Sequence, residues 1–173
     1  MDIPGNISLI GMPGAGKSTT GRVLAKLLDM HFIDIDELIR EQQQRSLQDI
    51  VDIKGPGYLR KLEEQAILSL ASENTVIATG GSAVYSAAAM QHLSAISTVV
   101  YLQSPYEIIA ERIRDLDTRG LARQPQQSLL DLYKERVVLY GKYADITVDA
   151  TPAPGTVAKN IASEVSNSLT AGD

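Results

Sequence analysis

A lysine and a serine close the run Gly11-Met12-Pro13-Gly14-Ala15-Gly16-Lys17-Ser18, which fits the phosphate-binding pattern G-x-x-x-x-G-K-[ST]. Glycines at this spacing let successive backbone N–H groups face phosphate oxygens. Gly14, Ala15, Gly16, Lys17, Ser18 and Thr19 are therefore expected to hold a nucleotide, with Lys17 reaching the outer phosphates and the Ser18 hydroxyl on Mg²⁺. Two acids follow in Met30 to Asp36, which reads as a strand, so Asp34 and Asp36 are expected on one side of it. Neighbouring carboxylates repel, and a nearby Mg²⁺ would let both stay ionised, one holding metal while the other orients a hydroxyl. Arg60 and Arg136 carry planar forks suited to a carboxylate. Plainer readings stand beside these. Arg60 could pair with Glu63 or Glu64 on a solvated helix face, and Arg136 with nearby acids. Asp34 and Asp36 could be helix-start acids favoured by the dipole, and Arg119, which competes with Arg123 for a catalytic place in the polar loop, could be an ordinary loop arginine.

Strands and helices must bring these groups together. Ile7 to Ile10 reads as a short buried strand, and Val23, Leu24, Leu27 and Leu28 mark one face of the helix after the glycine loop. Ser46 to Val51 is expected to be a short helix with Ser46 as N-cap, and Tyr58 to Ala71 an amphipathic helix. Thr75 to Thr79 is a β-branched strand stopped by Gly80-Gly81-Ser82, followed by a helix over Tyr85 to Leu93. Thr98 to Leu102 is a further strand, and Pro105 opens a helix over Tyr106 to Leu116. Residues 115–127 are polar, without an apolar period, and read as a loop. A helix over Ser128 to Tyr143, a strand over Asp145 to Asp149 and a helix over Pro154 to Leu169 complete the chain. Strands alternating with helices imply an α/β domain with a mainly parallel sheet, whose ligands sit beyond the carboxyl ends of the strands.

The 173 residues suffice for one domain with its own core. There is no cysteine, and His31 and His92 lie far apart, so a thiolate or histidine metal centre is not expected. A net charge of −5 argues against a nucleic-acid surface. No apolar run is long enough to span a membrane and the start lacks a signal-peptide pattern, so the expectation is a cytoplasmic, monomeric protein with small-molecule partners.

The combination of Gly11 to Ser18, Asp34-Ile35-Asp36, Arg60 followed by Glu63, Thr79-Gly80-Gly81, Arg119, and Glu135 to Tyr140 followed by Ala144-Asp145 resembles the shikimate kinase family. The resemblance implies a three-layer P-loop kinase fold over residues 1–173, with a five-stranded parallel sheet in the order 2-3-1-4-5 and a closing lid near 115–127. It implies ATP and Mg²⁺ as cofactors and the 3-hydroxyl of shikimate as acceptor. Carried over by position, Asp34 would help hold Mg²⁺ through water and Asp36 would take the acceptor hydroxyl. Arg60 and Arg136 would clamp the substrate carboxylate, with Gly80 and Gly81 contributing to the substrate site. Lys17 and Arg119 would act on the transferring group, and Arg112 would lie near the adenine.

Departures from the family pattern fall on the acceptor side. The chain has Gly80-Gly81-Ser82 for three glycines and Arg119-Gly120-Leu121-Ala122 for Arg-Pro-Leu-Leu. Leu59 and Val51 stand where the family usually carries aromatic residues. A kinase for another small hydroxylated metabolite therefore remains open, as does a non-catalytic nucleotide-binding module or switch. The chain has no Asn-Lys-x-Asp guanine-reading motif, which weighs against a GTPase.

Overall fold

A computed structural model describes residues 5–114, 121 and 126–170. Five strands run β1 (Asn6–Ile10), β2 (His31–Asp34), β3 (Thr75–Ala78), β4 (Ser97–Gln103) and β5 (Ile146–Asp149). They form one all-parallel sheet in the order β2-β3-β1-β4-β5, as the resemblance implied. Every residue of β1 and β3 is buried, as expected for parallel strands covered on both faces.

The helices are α1 (Lys17–Leu28), α2 (Ile35–Gln43), α3 (Leu47–Lys54), α4 (Pro56–Leu68), α5 (Ala87–Ile96), α6 (Tyr106–Arg114), α7 (Leu129–Tyr143) and α8 (Pro154–Thr170). Consecutive strand residues fix how the layers lie. Gly21 of α1 sits over Leu9. Ser8, its strand neighbour, shares a 2.6 Å hydroxyl bond with Ser97, and Ser97 Oγ donates to the Leu93 carbonyl at the end of α5. Ser8 and Leu9 point to opposite faces of the sheet, so α1 and α5 cover opposite faces. α8 joins α1 on its side, while α4 packs on α5.

At the amino end of the sheet, Asn6 ties β1 to the start of β3 and to the end of α5. Its Nδ2 donates to the carbonyls of Ser72 (2.7 Å) and Ile96 (3.0 Å), and its Oδ1 accepts from Thr75 N (3.0 Å). At the carboxyl end, Thr79 donates from both its backbone N–H and its hydroxyl to the Leu9 carbonyl. The turn Gly80-Gly81 is thereby tied to the strand that feeds the glycine loop.

Two boundaries differ from the sequence expectation for local reasons. β2 stops at Asp34 rather than Asp36, because the Asp34 carboxylate accepts from Asp36 N (3.0 Å) and Glu37 N (3.2 Å) and caps α2. Asp36 thus lies in the first turn of a helix, and strand alternation is not what relates the two acids. The segment expected as a helix over Tyr85 to Leu93 divides into a 3₁₀ turn (Ala83–Tyr85) and α5, because the Ser86 hydroxyl accepts from Ala89 N and starts a new helix. The expected lid near 115–127, with Arg119 and Arg123, lies outside the described residues except for Leu121, Gln126 and Gln127.

Candidate active site

The chain turns sharply out of β1 into the glycine loop. Gly16 is the N-cap of α1 at φ 88°, a left-handed conformation that a side chain would strain. The first intrahelical bond of α1 is Thr20 N to the Gly16 carbonyl (2.8 Å), so the N–H groups just before it have no partner within the helix. They face a cleft of about 470 Å³ lined by Pro13 to Thr20, Asp36, Glu63, Thr79 to Ser82, Arg112, Arg136 and the 150–154 connection, among others. Free N–H groups and the positive end of a helix make an anion cradle.

Lys17 lies buried in this cradle, its Nζ donating to the carbonyls of Gly11 (2.8 Å) and Met12 (2.9 Å). Burial pushes its ammonium down to about 8, against the opposing pull of Asp36 and Glu63. Ser18 Oγ donates to Asp34 Oδ2, while Asp34 Oδ1 is committed to capping α2. A hydroxyl and one carboxylate oxygen thus meet beside the phosphate cradle. This hard-oxygen pair suits Mg²⁺, which takes one or two protein oxygens and completes its shell with water and phosphate. Arg112 reaches across from α6 to donate to the Gly14 carbonyl (2.9 Å).

The opposite wall is built from side chains. A Cβ at Gly80 would fall 2.8 Å from Glu63 Cδ and 2.9 Å from Asp36 Oδ1. One at Gly81 would fall 2.7 Å from Pro13 Cδ and 2.8 Å from Arg136 Nη1. A side chain at Gly81 would meet the Pro13 ring and one at Gly80 would displace the carboxylates, and the atoms they meet show that Asp36, Glu63 and Arg136 converge on this turn. Arg136 is 1% exposed. Tyr140, one turn along α7, donates to the Gly81 carbonyl (2.6 Å). Glu63, 2% exposed, accepts from Ser82 Oγ. Burial, then the negative charge of Asp36, pushes its carboxyl up to about 7 despite Ser82, Arg136 and Lys17.

A family model described as shikimate kinase matches residues 13–167 of this chain. The chain belongs to the shikimate kinase family. The shikimate kinase of Aquifex aeolicus is 36% identical over 156 residues, covering 90% of this chain and 92% of its own. That of Pasteurella multocida is 40% identical over 164 residues, covering 92% of each. Among solved structures, a shikimate kinase from Acinetobacter baumannii in complex with shikimate has 32% identity and a TM-score of 0.88, over 95% of this chain and 94% of that one.

Most of the site residues read from the sequence by shikimate kinase resemblance meet in this one cleft. Gly14 to Thr19, Asp36, Gly80, Gly81, Arg112 and Arg136 line it, and Asp34 stands behind Ser18. Arg60 is not among the lining residues; its guanidinium carbon lies 3.9 Å from the centroid of the Tyr85 ring. Val51 is half-buried against the core and does not line the cleft either. The apolar wall comes instead from Leu47, one helical turn earlier on α3, and from Leu59.

Sequence reasoning marks Glu63 only as a motif member and a surface partner for Arg60. A signal is present all the same: Glu63 is four residues from both Leu59 and Ile67, so it falls on the buried stripe of α4. Ser82 and Tyr85 carry no comparable signal, because their roles depend on partners in α4 and α7.

Proposed function

We propose that this chain transfers the γ-phosphoryl group of ATP to the 3-hydroxyl of shikimate. The observation that carries the reading is the place of Asp36. Its carboxylate stands in one cleft between the phosphate cradle with Lys17 and the Gly80-Gly81 turn faced by Arg136. A carboxylate between a phosphate site and a carboxylate-binding arginine is where an acceptor hydroxyl must lie. Membership of the family supports the same reaction.

In this mechanism Asp36 accepts the proton as the 3-oxygen bonds to the γ-phosphorus, and the bond from that phosphorus to the β,γ-bridging oxygen breaks to release ADP. Phosphoryl transfer asks the protein chiefly for positioning and charge stabilisation. Lys17 leaves its loop carbonyls for the phosphate oxygens, and the loop N–H groups hold them in place. Ser18 and Asp34 would hold Mg²⁺, which supplies charge neutralisation of the phosphates. Arg136 takes the acceptor carboxylate, Arg60 supports it, and the backbone at Gly80 and Gly81 completes the acceptor site. Arg112 and the 150–154 connection flank the nucleotide base. Arg119 is assigned to the transferring group from the sequence pattern alone. We take the chain to act as a monomer. Among the described residues no helix is long and apolar enough to cross a membrane, and we place the reaction in the cytoplasm, where ATP is available.

Leu59 and Leu47 at the apolar wall favour one second reading, a related small hydroxy acid as acceptor. ADP release with Mg²⁺-ATP decides between them when shikimate is compared with a panel of hydroxy acids and polyols, with the product identified by ³¹P NMR. Shikimate 3-phosphate is expected. Background rates with shikimate alongside turnover of another compound would replace the acceptor, and no turnover of any compound would leave a nucleotide-binding module.

A further inference from the structure

Tyr85, at the end of the 3₁₀ turn, does not line the cleft, yet it touches the arginines of two different helices. The Arg60 guanidinium of α4 lies 3.9 Å from its ring centroid and that of Arg136 in α7 lies 5.3 Å away. Both are within the roughly 6 Å over which a cation is attracted to a ring face. The phenol is held at its other end: Tyr85 Oη donates to Glu135 Oε1 and accepts from Arg136 Nε over 3.4 Å. Two guanidinium groups brought close together repel one another, and some of this wall is withdrawn from water, where the repulsion is poorly screened. A ring face against both, with the Glu135 carboxylate behind the phenol, opposes that repulsion without occupying the cleft.

We propose that Tyr85 is a positioning residue that holds Arg60 and Arg136 at the separation of a two-arginine clamp, and thereby sets the preference of the site for an anionic acceptor. The proposal rests on the reading that these arginines receive the acceptor carboxylate. Burial and the bond to Glu135 raise the phenol above its ordinary range, so it stays a neutral donor at physiological pH. The ring and the hydroxyl have separable roles: the ring sits against both cations, whereas the hydroxyl tethers it to α7.

The test compares shikimate with its methyl ester, in which the carboxylate charge is removed, in wild type, Tyr85→Leu and Tyr85→Phe. Tyr85→Leu is expected to raise KM for shikimate about tenfold, to change KM for ATP less than twofold, and to shrink the acid-over-ester ratio of kcat/KM by a similar factor. Tyr85→Phe keeps the ring and is expected to stay within about threefold of wild type. A turn that merely loosened would weaken acid and ester alike and leave the ratio fixed, which would overturn the proposal. Thermal melts establish that each variant is folded; should Tyr85→Leu fail to fold, Tyr85→Met, which also removes the ring, carries the same comparison of acid with ester, and a ratio unchanged from wild type overturns the proposal. The proposed reaction fails separately, at the wild-type chain, if shikimate yields no ADP. The clamp is then read without turnover, as calorimetric affinity for acid and ester. Loss of preference for the acid in Tyr85→Leu supports the role, and equal preference in both chains, or none in the wild type, overturns it.

Discussion

The two halves of the cleft are made of different material. The half proposed for the donor is mainly backbone: the glycine loop and the first turn of one helix supply its N–H groups, to which Lys17, Ser18, Asp34 and Arg112 add side chains. The half proposed for the acceptor is mainly side chain: Asp36 from α2, Glu63 from α4, Ser82 from the turn after β3 and Arg136 from α7, with Arg60 and Tyr85 outside the lining but in contact with each other. A backbone site is written in consecutive residues and changes little when a neighbour changes. A side-chain site depends on several elements arriving together, and each substitution there alters the surroundings of several others.

The largest expected effect belongs to the donor half. Lys17→Ala should lower kcat by about 10³-fold in an ADP-release assay; a loss under tenfold would mean the backbone cradle alone carries the donor phosphates. Asp36→Asn should cost about 10²- to 10³-fold in kcat, with nucleotide affinity by calorimetry within about threefold of wild type. Full activity in Asp36→Asn would remove it from the mechanism and erase the boundary between the halves.

On the acceptor side, Arg136→Ala should raise KM for shikimate about 30-fold, and Arg60→Ala about tenfold, because only Arg136 lines the cleft directly. The reverse order would place Arg60 foremost in the clamp. An unchanged KM in Arg60→Ala would return it to the plain ion-pair reading.

The last effect concerns stability and leaves the cleft's chemistry aside. The folded-state pKa of Glu63 is raised from 4.5 to about 7, so between those values the folded chain holds a proton that the unfolded chain has released. Its contribution is therefore fully present below about pH 4.5 and is lost as pH rises towards 7, on the order of a few kcal/mol in all. Glu63→Gln, neutral at every pH, should flatten that decline in urea unfolding midpoints measured from pH 4.5 to 7.5. A decline of unchanged slope would assign the proton elsewhere.

This division also explains what could be read from the chain alone. A mainly parallel sheet followed from alternating strands and helices, its order came only with the family resemblance, and the glycine loop with Lys17 and Ser18 was legible because its geometry is local. Asp34 and Asp36 were found, but the strand alternation used to relate them was replaced by a helix cap, since Asp34 spends one oxygen on α2 and the other on Ser18. Glu63 lay on an apolar stripe where an acid is out of place, a signal visible at helical spacing. Tyr85 and Ser82 were not legible: an exposed-looking tyrosine acquires its meaning only when α4 and α7 bring a cation each to its ring. Val51 illustrates the reverse, a position marked by pattern whose side chain the packing turns into the core while Leu47 takes the wall.

Far from the chemistry, the amide of Asn6 in β1 makes three bonds, to the first residue of β3, to the connection before it and to the last residue of α5, just ahead of β4. The parallel strands are thus fastened at the end remote from the cleft, where their side-chain cross-link costs nothing in access. At the other rim the two bonds of Thr79 to the Leu9 carbonyl do the same for β1 and β3, so this pair is clasped above and below. The turn at residues 80–85 therefore stands on a platform already locked, and what it presents to the cleft is set by side chains rather than by the strands beneath.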